Sequence, residues 1–277
     1  LADVRKEIGW AERATVDAKF ADFAKFNFDL RHVDGEYHTL KQTKGSGQDN
    51  LTYNLTGTVQ ADKFVSGLGI AVPVSANWKK SVTKPKFSTG SDIVLDQEQS
   101  REEKTETLDR SLSVSFSRKR QSPDFWTHLL LDGLSLRSSI SNHQKVSPTR
   151  TDTTQTVRGR ISYRYAPSRD GIRLFRNTRL FLKPTNVRLG LDTYLTHTLS
   201  YDISSAGVKS RRSNRFDKRM DMEANVDFSL LDNLDTSHSA RSVRDLDTIN
   251  RVWAGLNVGL ETERHYSNSL NFSPKFG

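Results

Sequence analysis

The chain has 277 residues, no cysteine and a formal net charge of +9. Its hydrophobic residues make up 34%, and adding the 16 glycines gives about 40%, below the roughly 45–50% of ordinary soluble domains. This composition excludes a disulfide framework and thiolate metal sites, offers no apolar run long enough for a membrane-spanning helix, and predicts acidic partners for the positive charge.

Apolar and polar residues alternate along many segments of the chain. Because successive side chains of a β-strand point to opposite faces, this period of two predicts strands with one apolar and one polar face. The fold class is therefore predicted to be all-β, with about nine or ten meandering antiparallel strands. The predicted apolar rows, in chain order, are Val16, Ala18 and Phe20; Phe26, Phe28 and Leu30; Leu51, Tyr53, Leu55, Gly57 and Val59; Val72, Val74, Ala76 and Trp78; Leu112, Val114 and Phe116; Leu134, Leu136 and Ile140; Val157, Gly159, Ile161, Tyr163 and Tyr165; Val187, Leu189, Leu191 and Leu195; Met220, Met222, Ala224, Val226, Phe228 and Leu230; and Ala254, Leu256, Val258 and Leu260.

The length of the predicted strands favours a membrane protein. Many of them span roughly 9–13 residues, whereas soluble strands cluster near 5–6 residues and tilted membrane-crossing strands need about 9–11. Aromatic residues near the ends of the apolar rows match the aromatic girdles of membrane barrels. These residues are Phe26, Tyr53, Trp78, Tyr163 and Tyr165.

The predicted connections alternate in length. Outer-membrane barrels have short turns on one side and long loops on the other, so this alternation favours the same interpretation. The predicted short or moderate links are 21–24, 62–69, 119–133 and 167–184, and the predicted long polar links are 35–50, 81–105, 142–154 and 202–216. A further long link at 231–250 breaks the alternation.

The segment 156–165, "TVRGRISYRY", indicates how strongly charge would fix the register. A slip by one residue would turn Arg158, Arg160 and Arg164 toward lipid, at roughly 2–4 kcal/mol for each arginine at the bilayer midplane. The segment 220–230 likewise keeps its carboxylates off the apolar face. Both segments therefore predict apolar side chains against lipid and charged side chains against water.

Some cationic residues depart from this pattern. Arg110 and Arg118 lie in phase with the apolar residues of segment 106–119, and we expect them near strand ends, where long side chains reach the headgroups. The basic clusters 117–121 and 209–219 are predicted to be solvated turns, with contact to lipid phosphates as the alternative.

The sequence contains no nucleophile elbow, P-loop, dinucleotide fingerprint or zinc-binding helix. Its seven histidines are scattered without metal-ligand spacing. Stacking platforms for nucleic acid need aromatic and basic residues on one face, whereas Tyr163 and Tyr165 lie opposite the arginines of their segment. We therefore predict that the chain is not an enzyme, uses no cofactor and binds no nucleic acid.

Residues 79–120 resemble a stretch of the SprA family, the giant outer-membrane β-barrel translocons of the type IX secretion system. The resemblance comprises a lead strand "GIAVPVSANW", a Pro-Lys-Phe-x-x-Gly-Ser-Asp element, a charged segment and a serine-rich strand. Segments 21–42, 61–73 and 171–192 are similar to the same family, as is the closing segment rich in tyrosine and asparagine. The element is matched by Pro85, Lys86, Phe87, Gly90, Ser91 and Asp92.

The resemblance implies that residues 1–277 form one segment of a very large barrel in the bacterial outer membrane. Such a barrel exports folded cargo proteins to the cell surface, in a system associated with gliding motility. The implied partners are outer-membrane lipid, secreted cargo proteins, and the plug and shuttle proteins of the system. A lumen that passes folded protein must carry mixed charge, and the candidate lumen-facing residues are Arg158, Arg160, Arg164, Asp221, Glu223 and Asp227.

The Pro-Lys-Phe element, within the predicted loop insertion 81–105, has two interpretations. Pro85 and Gly90 shape a tight loop while Asp92 caps a turn, or the element contacts cargo or a plug. The candidate contact residues are Pro85, Lys86, Phe87, Gly90 and Asp92.

Two other functions stay open at this stage. A smaller outer-membrane channel or lipopolysaccharide-handling barrel would share every strand pattern, but its strands would close on themselves. A soluble or surface-displayed β-sandwich that binds polysaccharide or protein would bury the apolar rows against a second sheet. The chain begins at Leu1 without a signal-peptide pattern, from which we expect a fragment or a processed piece of a longer protein.

Overall fold

The structure is a computed structural model that describes residues 9–38, 45–64, 69–88, 93–119, 122–167, 171–175, 178–231, 233–247, 252–253 and 256–273. Strands make up 71% of it and helices 7%, which confirms the predicted all-β class. The strands are β1 Ala11–Phe20, β2 Ala24–Val33, β3 Gln48–Gln60, β4 Ile70–Ala71, β5 Pro73–Pro85, β6 Thr105–Arg118, β7 Leu134–Val146, β8 Arg150–Tyr165, β9 Ile172–Phe175, β10 Thr178–Leu180, β11 Asn186–Ile203, β12 Lys209–Leu231, β13 Leu234–Asp245, β14 Val252–Trp253, β15 Leu256–Asn257 and β16 Leu260–Phe272.

Twelve of these strands form one antiparallel sheet. Eleven of them follow in the order β1-β2-β3-β5-β6-β7-β8-β11-β12-β13-β16, and the short β4 pairs with β6. The strands β9 and β10 form a separate two-stranded sheet, as do β14 and β15. Over the described residues the large sheet is an open meander with β1 and β16 at its edges, and it is not closed into a barrel.

Long strands dominate the second half of the sheet. The strands β8, β11 and β12 have 16, 18 and 23 residues. The turn from β11 to β12 is closed by hydrogen bonds between Ser204 and Val208 (3.0 Å) and from Gly207 to Ser204 (2.8 Å). Gly207 has φ of 75°, a left-handed conformation that glycine adopts without steric cost.

The described helices are short and lie in the connections. They are the 3-10 turn Ala61–Phe64, α1 Gln97–Glu102, α2 Phe125–Thr127 and a π-helical turn His128–Asp132 that follows it. At the start of α1, Asp96 accepts a hydrogen bond from the Gln99 amide (2.7 Å), and the Gln99 side chain accepts one from the Asp96 amide (3.2 Å). None of these helices has the length and apolarity needed to cross a membrane.

The predicted number of strands was too low, and the segment 231–250 was assigned wrongly. It contains β13, whose twelve residues pair with β12 on one side and β16 on the other. The predicted final strand at 253–261 was also wrong, because the last strand of the sheet is Leu260–Phe272.

The predicted separation of short turns and long loops was wrong as well. The predicted long link 142–154 is a three-residue turn between β7 and β8, and the link 202–216 reduces to residues 204–208. Each end of the sheet therefore has both tight turns and longer connections. The predicted loop 81–105 shortens to 86–104, because β5 continues to Pro85.

The cationic residues outside the pattern have specific places in the sheet. Arg118 is the last residue of β6, as predicted, but it pairs with Asp132 at 3.0 Å. Arg110 lies within β6 rather than near its end, opposite Trp78. The cluster 209–219 forms the first half of β12 and is not a turn. Of the cluster 117–121, residues 120 and 121 lie outside the described residues.

Candidate functional site

The register of the strands joins the separate apolar rows into one continuous band. Across the centre of the sheet, Phe116 lies opposite Leu136, which lies opposite Ile161. Ile161 in turn lies opposite Leu191, and Leu191 opposite Met222. Residues paired in this way share one face of the sheet, so five neighbouring strands present apolar side chains at the same level.

The same band extends to the first edge of the sheet. Val74 lies opposite Val114 on one side and Val59 on the other, and Val59 lies opposite Ala24. Ala24 in turn lies opposite Phe20 on β1. We call this surface, from β1 to β12, the apolar band.

The apolar band is largely uncovered, with Ala24 and Met220 as its buried members among the described residues. Val16, Leu112, Ile140 and Leu189 are 58%, 47%, 53% and 46% exposed. Within the described part of the chain, the buried apolar residues are limited to Ala24, Phe181, Met220 and Val243. A contiguous apolar surface of this extent is rare on a soluble monomer and marks a surface that meets another apolar phase or partner.

The height of the apolar band is close to that of a membrane barrel. On β12 the row runs over nine residues from Met220 to Phe228, and the eight steps between them span about 27 Å at ~3.4 Å per residue. With the strand tilt of about 35–45° found in outer-membrane barrels, the row would cover roughly 20 Å, against an apolar belt of about 25 Å.

The band ends at the last two strands. On β13 the same face carries His238 and Ser242, which lie opposite Asn268 and Arg264 of β16. The His238 ring and the Asn268 side chain are hydrogen-bonded at 2.8 Å. This face of β13 and β16 is therefore mixed, because it also carries the exposed Leu270 and Tyr266, opposite Thr236 and Ala240.

The opposite face of the sheet is polar, and its charged residues form a network across β8, β11 and β12. Asp192 on β11 pairs with Arg158 at 3.4 Å and with Arg160 at 3.0 Å. Asp221 on β12 lies directly opposite Asp192 and pairs with Arg219 at 2.8 Å. Arg241 of β13 also pairs with Asp221, at 3.3 Å.

Three of the six predicted lumen-facing residues belong to this network, and the other three lie outside it. Arg158, Arg160 and Asp221 belong to it, although no predicted basic residue contacts a predicted acidic one directly. Glu223 instead accepts a hydrogen bond from Asn225 at 2.7 Å. The remaining two predicted residues lie toward the end of the strands.

Asp227 and Arg164 occupy different surroundings on that end of the polar face. Asp227 accepts hydrogen bonds from Ser237 at 2.6 Å and Asn186 at 2.9 Å. Arg164 is exposed and lies opposite Arg188 of β11. All six predicted residues thus lie on the polar face, but only three of them share ion pairs.

From β3 to β5 the polar face consists mostly of hydroxyl and amide side chains. Cross-strand hydrogen bonds join Thr52 to Ser81 at 3.1 Å and Thr58 to Ser75 at 3.2 Å. Asn54 accepts a hydrogen bond from Asn77 at 3.3 Å in the same sector. Side chains of this kind satisfy one another and leave few strong binding groups free.

The Pro-Lys-Phe element packs against the neighbouring loop. The Lys86 ammonium pairs with Glu36 at 2.6 Å, and the Lys86 amide donates to the Gly47 carbonyl at 2.9 Å. Phe87 forms an isolated bridge with Val94, which closes the loop.

Of the residues predicted to shape the loop or cap its turn, Pro85 lies among the described residues, at the point where the loop begins. Pro85 ends β5 and its carbonyl accepts a hydrogen bond from Ser100 at 2.7 Å. The other two predicted contact residues, Gly90 and Asp92, lie outside the described residues.

A buried carboxylate anchors the connection from β3 to β5. Asp62 accepts hydrogen bonds from the Lys119 ammonium and from the Val72 amide, the latter at 3.0 Å. The Lys119 ammonium and the Val72 amide together hold the pKa of the Asp62 carboxyl below its ordinary value. This contact ties the end of β6 to the neighbouring connection.

Sequence reasoning missed several members of the charged network. Asp192 stands in the polar row of a predicted strand, so the alternation was a sufficient signal for it. Arg241 was missed because its strand was taken for a loop. The cross-strand pairs themselves depend on the register, which the alternation within one strand does not determine.

Comparison with known protein families gives no match, and neither does comparison with curated proteins. Among the residues that the structure describes, no three histidine or acidic side chains are grouped to hold a metal ion. The two faces of the sheet therefore carry the functional argument.

Proposed function

We propose that the chain is a segment of a bacterial outer-membrane β-barrel, with the apolar band facing lipid and the polar face lining the lumen. The observation that carries this proposal is the alignment of the apolar rows into one uncovered band from β1 to β12. A β-sandwich would bury such a face against a second layer, whereas the band is widely exposed.

The open edges of the sheet support a barrel larger than this segment. Over the residues that the structure describes, the edge strands β1 and β16 leave backbone groups without partners, and such groups are not tolerated within the hydrocarbon region. In the proposed assembly both edges pair with further strands. A barrel of this kind belongs to the largest class of outer-membrane barrels.

The polar face supports a role in protein export rather than in binding one tight ligand along its whole surface. Its carboxylates are largely paired with arginines or amides, and its hydroxyl-rich sector pairs internally. A surface of this composition has few free groups with which to bind a passing protein. With the resemblance of residues 79–120 to the SprA family, we propose that the barrel exports folded cargo proteins by type IX secretion.

In this proposal the partners are outer-membrane lipid, the secreted cargo, and the plug and shuttle proteins of the system. The chain supports passage without catalysis and without a cofactor. The Pro-Lys-Phe loop, held by Lys86 and Phe87, would lie at one end of the barrel wall.

A cysteine scan of β12 tests the membrane orientation, because the chain has no native cysteine. Single cysteines at Met222, Ala224 and Val226, and at Glu223 and Asn225, would carry a spin label in the protein reconstituted in lipid vesicles. We expect the accessibility of the spin label to alternate along the strand. Oxygen dissolved in the lipid should relax the labels of the first set, and a water-soluble nickel chelate should relax those of the second. Equal accessibility of both sets to the nickel chelate would refute the proposal.

A further inference from the structure

An open groove crosses β8 and β11 on the polar face. Its floor is formed by Ser162 and Gly190, which lie opposite each other, and its volume is about 460 Å³. Arg160, Arg164 and Arg188 line its sides. We call these five residues the arginine groove.

The arginines of this region are placed against one another. Arg164 lies directly opposite Arg188, and Arg160 directly opposite Arg137 of β7. Like charges directly opposite each other destabilise a sheet. Within the described part of the chain, Arg137, Arg164 and Arg188 have no carboxylate within the 4.0 Å limit of an ion pair.

The nearby carboxylates leave an excess of positive charge. Asp192 pairs with Arg160 at 3.0 Å, and Glu223, at the β12 side of the groove, accepts from Asn225. With Arg137 included, four guanidinium groups therefore face three carboxylates, the third being Asp227, which is near enough to interact with the charge of Arg188. A guanidinium has only donors, and its planar fork fits a carboxylate or a phosphate through two parallel hydrogen bonds.

The floor of the groove keeps this space open. Gly190 has no side chain, and the Ser162 hydroxyl is hydrogen-bonded to the Ser135 hydroxyl at 2.7 Å, close to the floor. Arg160 and Arg164 are four residues apart on one strand, which separates their backbones by about 13 Å. A ligand with two or more anionic groups can engage both guanidinium groups at once.

We infer that the arginine groove binds a compact polyanionic ligand through carboxylate or phosphate oxyanions. The ligand relieves the repulsion between Arg164 and Arg188 by accepting hydrogen bonds from both. The inference concerns the polar face alone, so it holds whether or not the apolar band meets lipid.

Isothermal titration of the full chain in detergent at low salt tests this inference with two probes, pyrophosphate and citrate. We expect at least one probe to bind, and the affinity to fall as salt is added because the attraction is screened. Tighter binding of pyrophosphate assigns the site to phosphate groups, and tighter binding of citrate assigns it to carboxylates. Absence of binding by both probes would overturn the inference.

The double variant Arg164→Gln/Arg188→Gln should weaken binding by about tenfold or more, since it removes two charge-assisted partners. It should not unfold the protein, because it also removes an opposed pair of like charges, and an unchanged or higher urea midpoint would check this. The control Arg211→Gln/Arg215→Gln removes the same charge from exposed positions of β12 outside the groove. Equal weakening by both double variants would show non-specific attraction and would also overturn the inference.

Discussion

Asp192 and Asp221 lie directly opposite each other on neighbouring strands of the polar face. Two carboxylates in this position repel each other, and each is compensated from its other side. Asp192 is paired with Arg158 and Arg160 of β8, and Asp221 with Arg219 of its own strand. Arginines of β8 on one side, and Arg219 of β12 with Arg241 of β13 on the other, therefore offset the repulsion between the two carboxylates.

The coupling between Asp192 and Arg160 can be measured by a double-mutant cycle with Asp192→Asn and Arg160→Gln. The Arg160 side chain is 51% exposed, so solvent screens the pair and we expect a coupling of about 0.2–1 kcal/mol in the free energy of unfolding. Urea unfolding in detergent gives this value. A parallel cycle with Arg215→Gln, which lies opposite Thr198, should give no coupling, and the same coupling in both cycles would contradict the assigned pair.

The two faces of β12 should respond differently to a new arginine when the protein is in a bilayer. Ala224 belongs to the apolar band, so Ala224→Arg should destabilise the folded protein by roughly 2–4 kcal/mol. Asn225→Arg changes the adjacent residue on the polar face and should have a small effect. Unfolding in lipid vesicles measures both, and similar costs at the two positions would argue against lipid contact at the band.

How far the sequence predicts this fold depends on the strand. The strand β12 was predicted because apolar and polar residues alternate without interruption from Met220 to Phe228. The strand β13 was missed because its face toward the band carries His238 and Ser242 beside Ala240, so it shows no apolar period. Its conformation is specified by pairing with both neighbours, which is a tertiary effect on a segment of weak local preference.

The candidate site was predictable only in part for a related reason. The polar rows of β8 and β12 could be found from the alternation. The pairing of Asp192 with Asp221, however, is set by the tight turn at residues 204–208. That turn was predicted to be a long link, because the charged first half of β12 has no apolar row. Turn length determines register in a hairpin, and register determines which charges meet.

The left-handed conformation of Gly47 should be essential to the Pro-Lys-Phe loop. Gly47 has φ of 67°, and a Cβ atom there would lie 3.0 Å from the Phe87 ring. Gly47→Ala should therefore cost about 1–2 kcal/mol from the backbone alone, with a further cost from displacing Phe87. Faster trypsin cleavage after Lys86 would report the loosened loop.

Gly207→Ala is the matched control for this prediction. Gly207 has a similar φ of 75°, but a Cβ atom there would meet nothing within 4 Å. The control should carry the backbone cost without any change in cleavage after Lys86. If the two alanine variants cleave at the same rate, Phe87 does not depend on Gly47.

The contact between Asp62 and Lys119 should make the stability depend on acid pH. The pKa of Asp62 is lowered in the folded protein by the Lys119 ammonium and the Val72 amide, so the folded state holds the proton less tightly than the unfolded state. The stabilising contribution is therefore fully present above the unfolded pKa of about 3.9 and is lost as the pH falls through the folded pKa.

Thermal melting should show Asp62→Asn less stable than the native chain at neutral pH, with the gap closing below about pH 4. Lys119→Gln should reduce the same pH dependence, because the pKa of Asp62 then returns toward its ordinary value. If the difference in melting temperature between the native chain and Asp62→Asn stayed constant down to acid pH, the charge of the Asp62 carboxylate would contribute nothing to stability.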